Sequence, residues 1–467
     1  MGRVVKGRDK SAEQPKVSNL YENAKDFMSI ADKFAPLSLA AYADLNASGA
    51  YSDKEKEGRK EGFDYITKNQ KYEVIYSVGE KAEYVKNGYE GFKGTNEPSK
   101  GLNYTLFMKK EGNEPPELVI AFRGTDGFSD LLTDASLIPT YAGGKFSENA
   151  PVAIASQAVE AMNLMERIKQ LQTELDDNGN PKLPSNIKIN LTGHSLGGHI
   201  ANFIGRAYPE MVDNVVGFNS ANNKRFVANG LDLNQWKETF SNTGSDKLGR
   251  IMQANAPLED KNNNIKPYFF NFIGKTDANI VANEKNTYNP FSIAGNGHEI
   301  YDFWRTIRAQ NLLVQMGHSL DNTTNFLTRK YENYRTPLSA TRRAVSEFIP
   351  FVGKGKNIAD FADESVLEIS KHILGEEITK KQDIQTLISQ LKEKNIASSL
   401  SIAGKRPFFQ NLFGGRNVGN GVLYATELRD NEVVCDSHTE RFHKDSRISE
   451  TVICARPQED EGGMGLK

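Results

Sequence analysis

Apolar and polar residues alternate with period two along Ile187-Lys-Ile-Asn-Leu191, the pattern of a half-buried strand. From Gly198 to Tyr208 the period changes, and Ile200, Phe203 and Ile204 recur at helical spacing. Upstream, Glu117-Leu-Val-Ile-Ala-Phe122 is an apolar run of strand length that ends in a polar turn, and Val152 to Leu175 has the pattern of a long amphipathic helix. Leu20, Ala24, Phe27, Met28, Ile30, Ala31 and Phe34 predict a helix within Asn19 to Tyr51 that packs on the sheet as an opening cap. Downstream, Pro267 to Asp277 reads as an aromatic-rich strand. Beyond Tyr334 the periodicity predicts helices over Ile358 to Ile373 and Lys381 to Asn395, followed by Gly-rich and strand-like pieces.

The junction between the first strand and helix carries the chemistry. Leu191-Thr-Gly-His-Ser-Leu-Gly-Gly198 puts a serine at a sharp strand-to-helix turn whose backbone only tiny flanking residues allow, here Gly193 and Gly197. Ser195 is therefore the candidate nucleophile, with its hydroxyl expected to point out of the fold toward substrate. The helix behind it aims backbone N–H groups at the same point, which favours negative charge on a tetrahedral intermediate. A serine hydroxyl also needs an imidazole to take its proton and a carboxylate to hold that imidazole. Asp277, at the end of an aromatic-rich strand, is the expected acid. His194 and His199 flank the serine too closely to act as base, and are expected to be packing or surface residues. His298 and His318 are the contenders.

These pieces resemble the class 3 lipases, an alpha/beta-hydrolase family. The matching residues are Phe122-Arg-Gly-Thr125, Ser129-Asp-Leu-Leu-Thr-Asp134, Gly193-His-Ser-Leu-Gly-Gly198 and Val216-Gly-Phe-Asn-Ser-Ala221. The resemblance implies an α/β fold with a mostly parallel central sheet flanked by helices, and an acyl-enzyme mechanism on triacylglycerol or a phospholipid ester without metal or organic cofactor. It implies Thr125 and Leu196 as oxyanion donors and supports Asp277, although no proline follows that aspartate. It also favours His318 over His298, because the family's base comes late, just after a final strand, which Leu312 to Met316 would supply. Between Thr125 and Asn149 the family places its lid, here with Gly143-Gly144 as a hinge.

Composition narrows the setting. Formal net charge is −2 from 58 basic and 60 acidic residues, so no global field favours nucleic acid as a partner. No run approaches the ~20 apolar residues of a membrane span, and the amino end lacks the apolar core of a secretory signal. The expectation is a chain cytoplasmic at synthesis; analogy with effector phospholipases adds export by a route independent of a signal peptide. Residues 1–18 read as a disordered head, 19–335 as the hydrolase domain, and 336–467 as an accessory α+β region that could bind a protein partner. Within that region Phe348-Ile-Pro-Phe-Val352, in a basic frame, reads as a packing connector rather than a membrane contact. Cys435 and Cys454, with His438 and His443 between them, fit no trusted zinc spacing and read better as a polar hairpin.

Overall fold

The alternation of facing residues along Glu117–Phe122 sorts the molecule into layers. In the computed structural model, Leu118 and Ile120 face one apolar cluster while Val119 and Ala121 face another, as the period-two geometry of a strand requires. The structure describes residues 24–43, 45, 57–79, 82–94, 102–110, 114–124, 150–221, 244–255, 267–274, 290–295, 299–334, 356–394, 396–401, 422–427 and 453–455. Among them the sheet strands are β1 (Glu73–Val78), β2 (Glu83–Val85), β3 (Tyr104–Lys109), β4 (Glu117–Phe122), β5 (Lys188–His194), β6 (Asn214–Phe218), β7 (Tyr268–Gly274) and β8 (Pro290–Ile293). They pair in the order β2-β1-β3-β4-β5-β6-β7-β8. Of the first four in that order each runs antiparallel to its neighbour, and β4 through β8 run parallel, so their carboxyl ends share one edge. This mostly parallel sheet with helices on both faces is the alpha/beta-hydrolase fold.

Helices α1 (Ala24–Ala40), α2 (Glu57–Asp64), α3 (Ala150–Leu171), α4 (Leu196–Ala207), α5 (Ser245–Asn255), α6 (Ile300–Gln315) and α7 (Leu320–Tyr334) surround the sheet. One face buries Met162, Met165 and Ile168 of α3, Ile200 and Ile204 of α4, and Ile251 of α5. The other buries Met28, Phe34 and Leu39 of α1 beside Phe303, Trp304 and Ile307 of α6. The first helix is thus a buried layer of the fold rather than a cap laid upon it. Among the described residues no helix is long and apolar enough to cross a membrane.

Leu312 to Met316 is not a strand. It continues α6, because Ile300, Phe303, Trp304, Ile307 and Val314 form one buried stripe toward the sheet and Ala309, Leu312 and Leu313 a second on the outer side, with no interrupting glycine or proline. The helix stops where Gly317 adopts φ +97, a left-handed conformation that releases the chain. Short apolar runs do not distinguish strand from buried helix, and the stripe extending back to Ile300 decides the matter.

After residue 335 the description resumes with α8 (Ile358–Ile373), α9 (Glu376–Lys381) and α10 (Ile384–Lys392), then a small antiparallel sheet of β9 (Ile396–Ser401), β10 (Val422–Glu427) and β11 (Ile453–Ala455). This expected accessory region is built onto the outer side of α6: Ala309, Leu312 and Leu313 share a core with Phe361, Val366, Ile388 and Leu391. Charge reinforces the joint. Arg305 reaches Asp360 at 2.9 Å and Asp363 at 2.8 Å, and the buried Arg308 bridges Glu61 at 2.8 Å and Asp363 at 3.4 Å. Thr125, Asp277, His298, the 125–149 stretch, Phe348 to Val352, Cys435, His438 and His443 lie outside the described residues.

Candidate active site

Ser195 stands between the last residue of β5 and the first of α4, with φ 57 and ψ −122. A non-glycine residue in that region is strained by about 1–3 kcal/mol, tolerated only where the surroundings over-determine it. The surroundings are glycines with no room for a side chain. A Cβ on Gly197 would collide with the Phe122 carbonyl, and one on Gly193 with the Gly197 backbone; one on Gly198 would meet Ser220 Oγ. The turn is also bonded from outside: Ser195 N donates to Phe218 O at 3.1 Å, and Ala221 N donates to Ser195 O at 3.0 Å.

The expectation that this hydroxyl points to solvent is corrected. Ser195 is 1% exposed, and Gly124 lies against it: a Cβ on Gly124 would lie 3.2 Å from Ser195 Cβ. Its Oγ has no hydrogen-bond partner among the described residues. A buried hydroxyl left unpaired costs about 1–3 kcal/mol, so the site keeps an oxygen poised for a partner.

Of the other expected residues, Leu196 is the first residue of α4, where backbone N–H groups have no intrahelical acceptor. Thr125 directly follows the described Gly124, and Asp277 falls beyond Gly274, the end of β7. His298 falls between Ile293, the end of β8, and Ile300, the start of α6. Phe303, in the first turn of α6, packs edge-on against Phe218, whose carbonyl bonds Ser195 N. His318 is buried in the turn after α6, its backbone N–H bonded to Leu313 O at 3.2 Å. The end of α6 meets the beginning of α1, where Gln315 Nε2 reaches Ser29 Oγ at 3.2 Å. The elbow is met by Tyr42, just past the other end of α1, a helix about 25 Å long at ~1.5 Å per residue. Among the described contacts none joins His318 to Ser195. His194 and His199 are both buried, and His199 Nδ1 lies 2.9 Å from Ala221 O, bracing the turn behind the serine.

Five polar residues to which the sequence assigns no catalytic role support the elbow. Asn202 on α4 and Asn271 in β7 exchange hydrogen bonds of 2.8 and 3.1 Å, and Ser220 Oγ lies 3.4 Å from Asn271 Oδ1. Asn219 adopts φ 43 and accepts Gly274 N–H at 3.1 Å, tying the end of β6 to the point where the chain leaves β7. Tyr42 Oη accepts Gly124 N–H at 3.1 Å and lies 2.9 Å from His194 Nδ1. An asparagine inside the aromatic run Tyr-Phe-Phe-Asn-Phe was a legible signal, since a polar residue in a buried strand needs a partner. Nothing comparable marked Tyr42. Among the described residues no cluster of histidine, cysteine and carboxylates could hold a metal.

A strained serine on β5 of such a sheet, backed at once by a helix N-terminus, defines an alpha/beta-hydrolase nucleophile elbow. The model of one family, lipase (class 3), matches residues 119–215, about a fifth of the chain's 467 residues, a stretch that runs from β4 through the elbow into β6. Among solved structures, the chain is similar to the Lip2 lipase of Yarrowia lipolytica, at 15% identity over 54% of this chain and 74% of that one, with a TM-score of 0.30. It is similar also to a lipase from Rhizopus microsporus var. chinensis, at 13% identity over 59% and 77% with a TM-score of 0.27. A third is M37 lipase, at 16% over 47% and 66% with a TM-score of 0.21. No curated protein matches the chain.

Proposed function

We propose that this protein is a serine hydrolase that cleaves carboxylic esters of lipids through an acyl-enzyme. The observation that carries the reading is Ser195 itself, strained at the elbow with an oxygen that has no partner among the described residues. In the proposed cycle Ser195 Oγ attacks the ester carbonyl as an imidazole takes its proton. The alkoxide leaves with that proton, and water, activated by the same imidazole, releases the fatty acid and restores the serine. Leu196 N–H and the amide following Gly124 stabilise the tetrahedral oxygen, and Asp277 orients the imidazole. The substrate is an aggregated lipid, triacylglycerol or a phospholipid A-type ester, a class inferred from the family likeness.

For the base, chain order supports His298 in place of His318. The rule that a base follows the final strand of the sheet points to the residues after β8, since Leu312 to Met316 is helical. The distance of the α6–α7 turn from the elbow supports the same choice.

The test combines labelling and turnover. A fluorophosphonate probe should label the wild type and not Ser195→Ala, faster in the presence of lipid vesicles because the oxygen is buried without them. His298→Ala should lower kcat on long-chain esters by several orders of magnitude, whereas His318→Ala should retain most of it. A wild type that neither labels nor releases fatty acid refutes the hydrolase reading. A dead His318→Ala that is folded, beside an active His298→Ala, reverses the base.

A further inference from the structure

The Arg123–Gly124 turn lies against Ser195, yet its last backbone amide takes its acceptor from outside the sheet. Arg123 N still donates to Asn103 O at 2.9 Å. Gly124 N, the next amide, donates instead to the phenol oxygen of Tyr42 at 3.1 Å. Tyr42 is 4% exposed, and its ring lies between two cations, with the Arg59 guanidinium 5.3 Å and the Arg123 guanidinium 5.6 Å from its centroid. The Arg59 side chain also bonds Tyr42 O at 3.4 Å, and Tyr42 Oη lies 2.9 Å from Nδ1 of His194, the residue before the nucleophile. One phenol oxygen thus joins the end of β4 to the end of β5. Gly124 has no space between them: a Cβ there would lie 2.5 Å from Tyr42 Oη, 2.5 Å from His194 O and 3.2 Å from Ser195 Cβ.

We propose that Tyr42 is a positioning residue for the oxyanion-binding turn. By holding Gly124 N–H and His194 Nδ1 together, it fixes the Gly124 backbone against Ser195, at the point where the chain leads into the proposed oxyanion donor. The proposal rests on the hydrolase reading above. A donor acts on the tetrahedral oxygen in the transition state far more than on the bound ester, so turning it away lowers kcat and spares KM. A brace that served folding alone would move neither in an active enzyme.

Tyr42→Phe removes the hydroxyl and keeps the ring between its two arginines. On a long-chain ester kcat should fall about ten- to a hundredfold, less than the ~10²–10³ of deleting an oxyanion donor outright, with KM within about twofold. Affinity for a trifluoromethyl ketone, which becomes a tetrahedral adduct on the serine, should fall by the same factor as kcat. A Tyr42→Phe enzyme with undiminished kcat, or one whose ketone affinity is unchanged, overturns the proposal and leaves the hydrolase reading standing; an inactive wild type overturns both. Should Tyr42→Phe fail to fold, hydrogen exchange in the wild type decides. The Gly124 amide should be protected like those of β4, and exchange at the rate of an open turn overturns the brace.

Discussion

Asn271 is fully buried at the centre of β7 and exchanges two hydrogen bonds, of 2.8 and 3.1 Å, with Asn202 on the helix behind the nucleophile. Asn271→Ala deletes both bonds, at about 1 kcal/mol each, and strands the Asn202 carbonyl oxygen, which adds about 1–3 kcal/mol. Asn202 Nδ2 keeps its 2.8 Å bond to Gly198 O, so the stranding cost belongs at the low end of that range. The expected loss is about 3 kcal/mol, a large share of the ~5–15 kcal/mol that holds a typical domain together. Asn202→Ala should cost a comparable amount, because it leaves the Asn271 amide short of the same two bonds. If the pair acts as a unit, the double variant loses little more than either single one, and the coupling energy is about 1–3 kcal/mol. Urea unfolding of the four proteins, followed by circular dichroism, measures it. Strictly additive losses would refute the reasoning. Activity should fall with stability, because Ser220, 3.4 Å from Asn271 Oδ1, also fills the space beside Gly198.

Two further predictions concern buried charge and alkaline pH. Arg308→Met leaves Asp363, whose carboxyl burial already holds above the usual range, without one of its two arginines, and should cost about 3–5 kcal/mol at neutral pH. A raised carboxyl favours the protonated fold, so the deficit should shrink as pH falls toward 4 in pH-dependent thermal unfolding; a pH-independent loss would contradict the ion-pair account. Tyr65 is pushed up to about 12, first by burial and then by the charge of Asp32. A raised tyrosine contributes stability that is intact below about 10 and lost as pH rises toward 12, on the order of 3 kcal/mol. Absorbance at the phenolate band and helical ellipticity should therefore change together above pH 10, and full ionisation of the tyrosines in a still-folded protein would count against it.

What was legible in the sequence followed from local physics. The period-two run at Ile187–Leu191, the helical stripe after Gly198 and the glycines around Ser195 each state a backbone requirement that neighbouring residues alone impose. β5, α4 and the elbow accordingly stand where the pattern puts them. Leu312 to Met316 failed because a five-residue run with four apolar residues satisfies strand and helix equally, and only the long stripe from Ile300 makes α6 the better packing. The openness of Ser195 failed for a different reason. Its surroundings are tertiary: Gly124, which lies against it, and Tyr42, which accepts the Gly124 N–H, are distant in sequence and meet only after β4 and β5 pair in parallel.

The same distinction bears on the choice of base. Chain order in a parallel sheet is a statement about position, because every strand from β4 to β8 delivers its following residues to one edge. A residue that follows such a strand starts at the edge where Ser195 stands. A residue that follows a helix packed across the face starts wherever that helix ends, and α6 ends beside Ser29, at the far end of α1. Whether the run before a histidine is a strand or a helix is therefore the physical question behind the assignment. Reading Leu312 to Met316 as helix moves the base from His318 to His298 without any other change in the proposed chemistry.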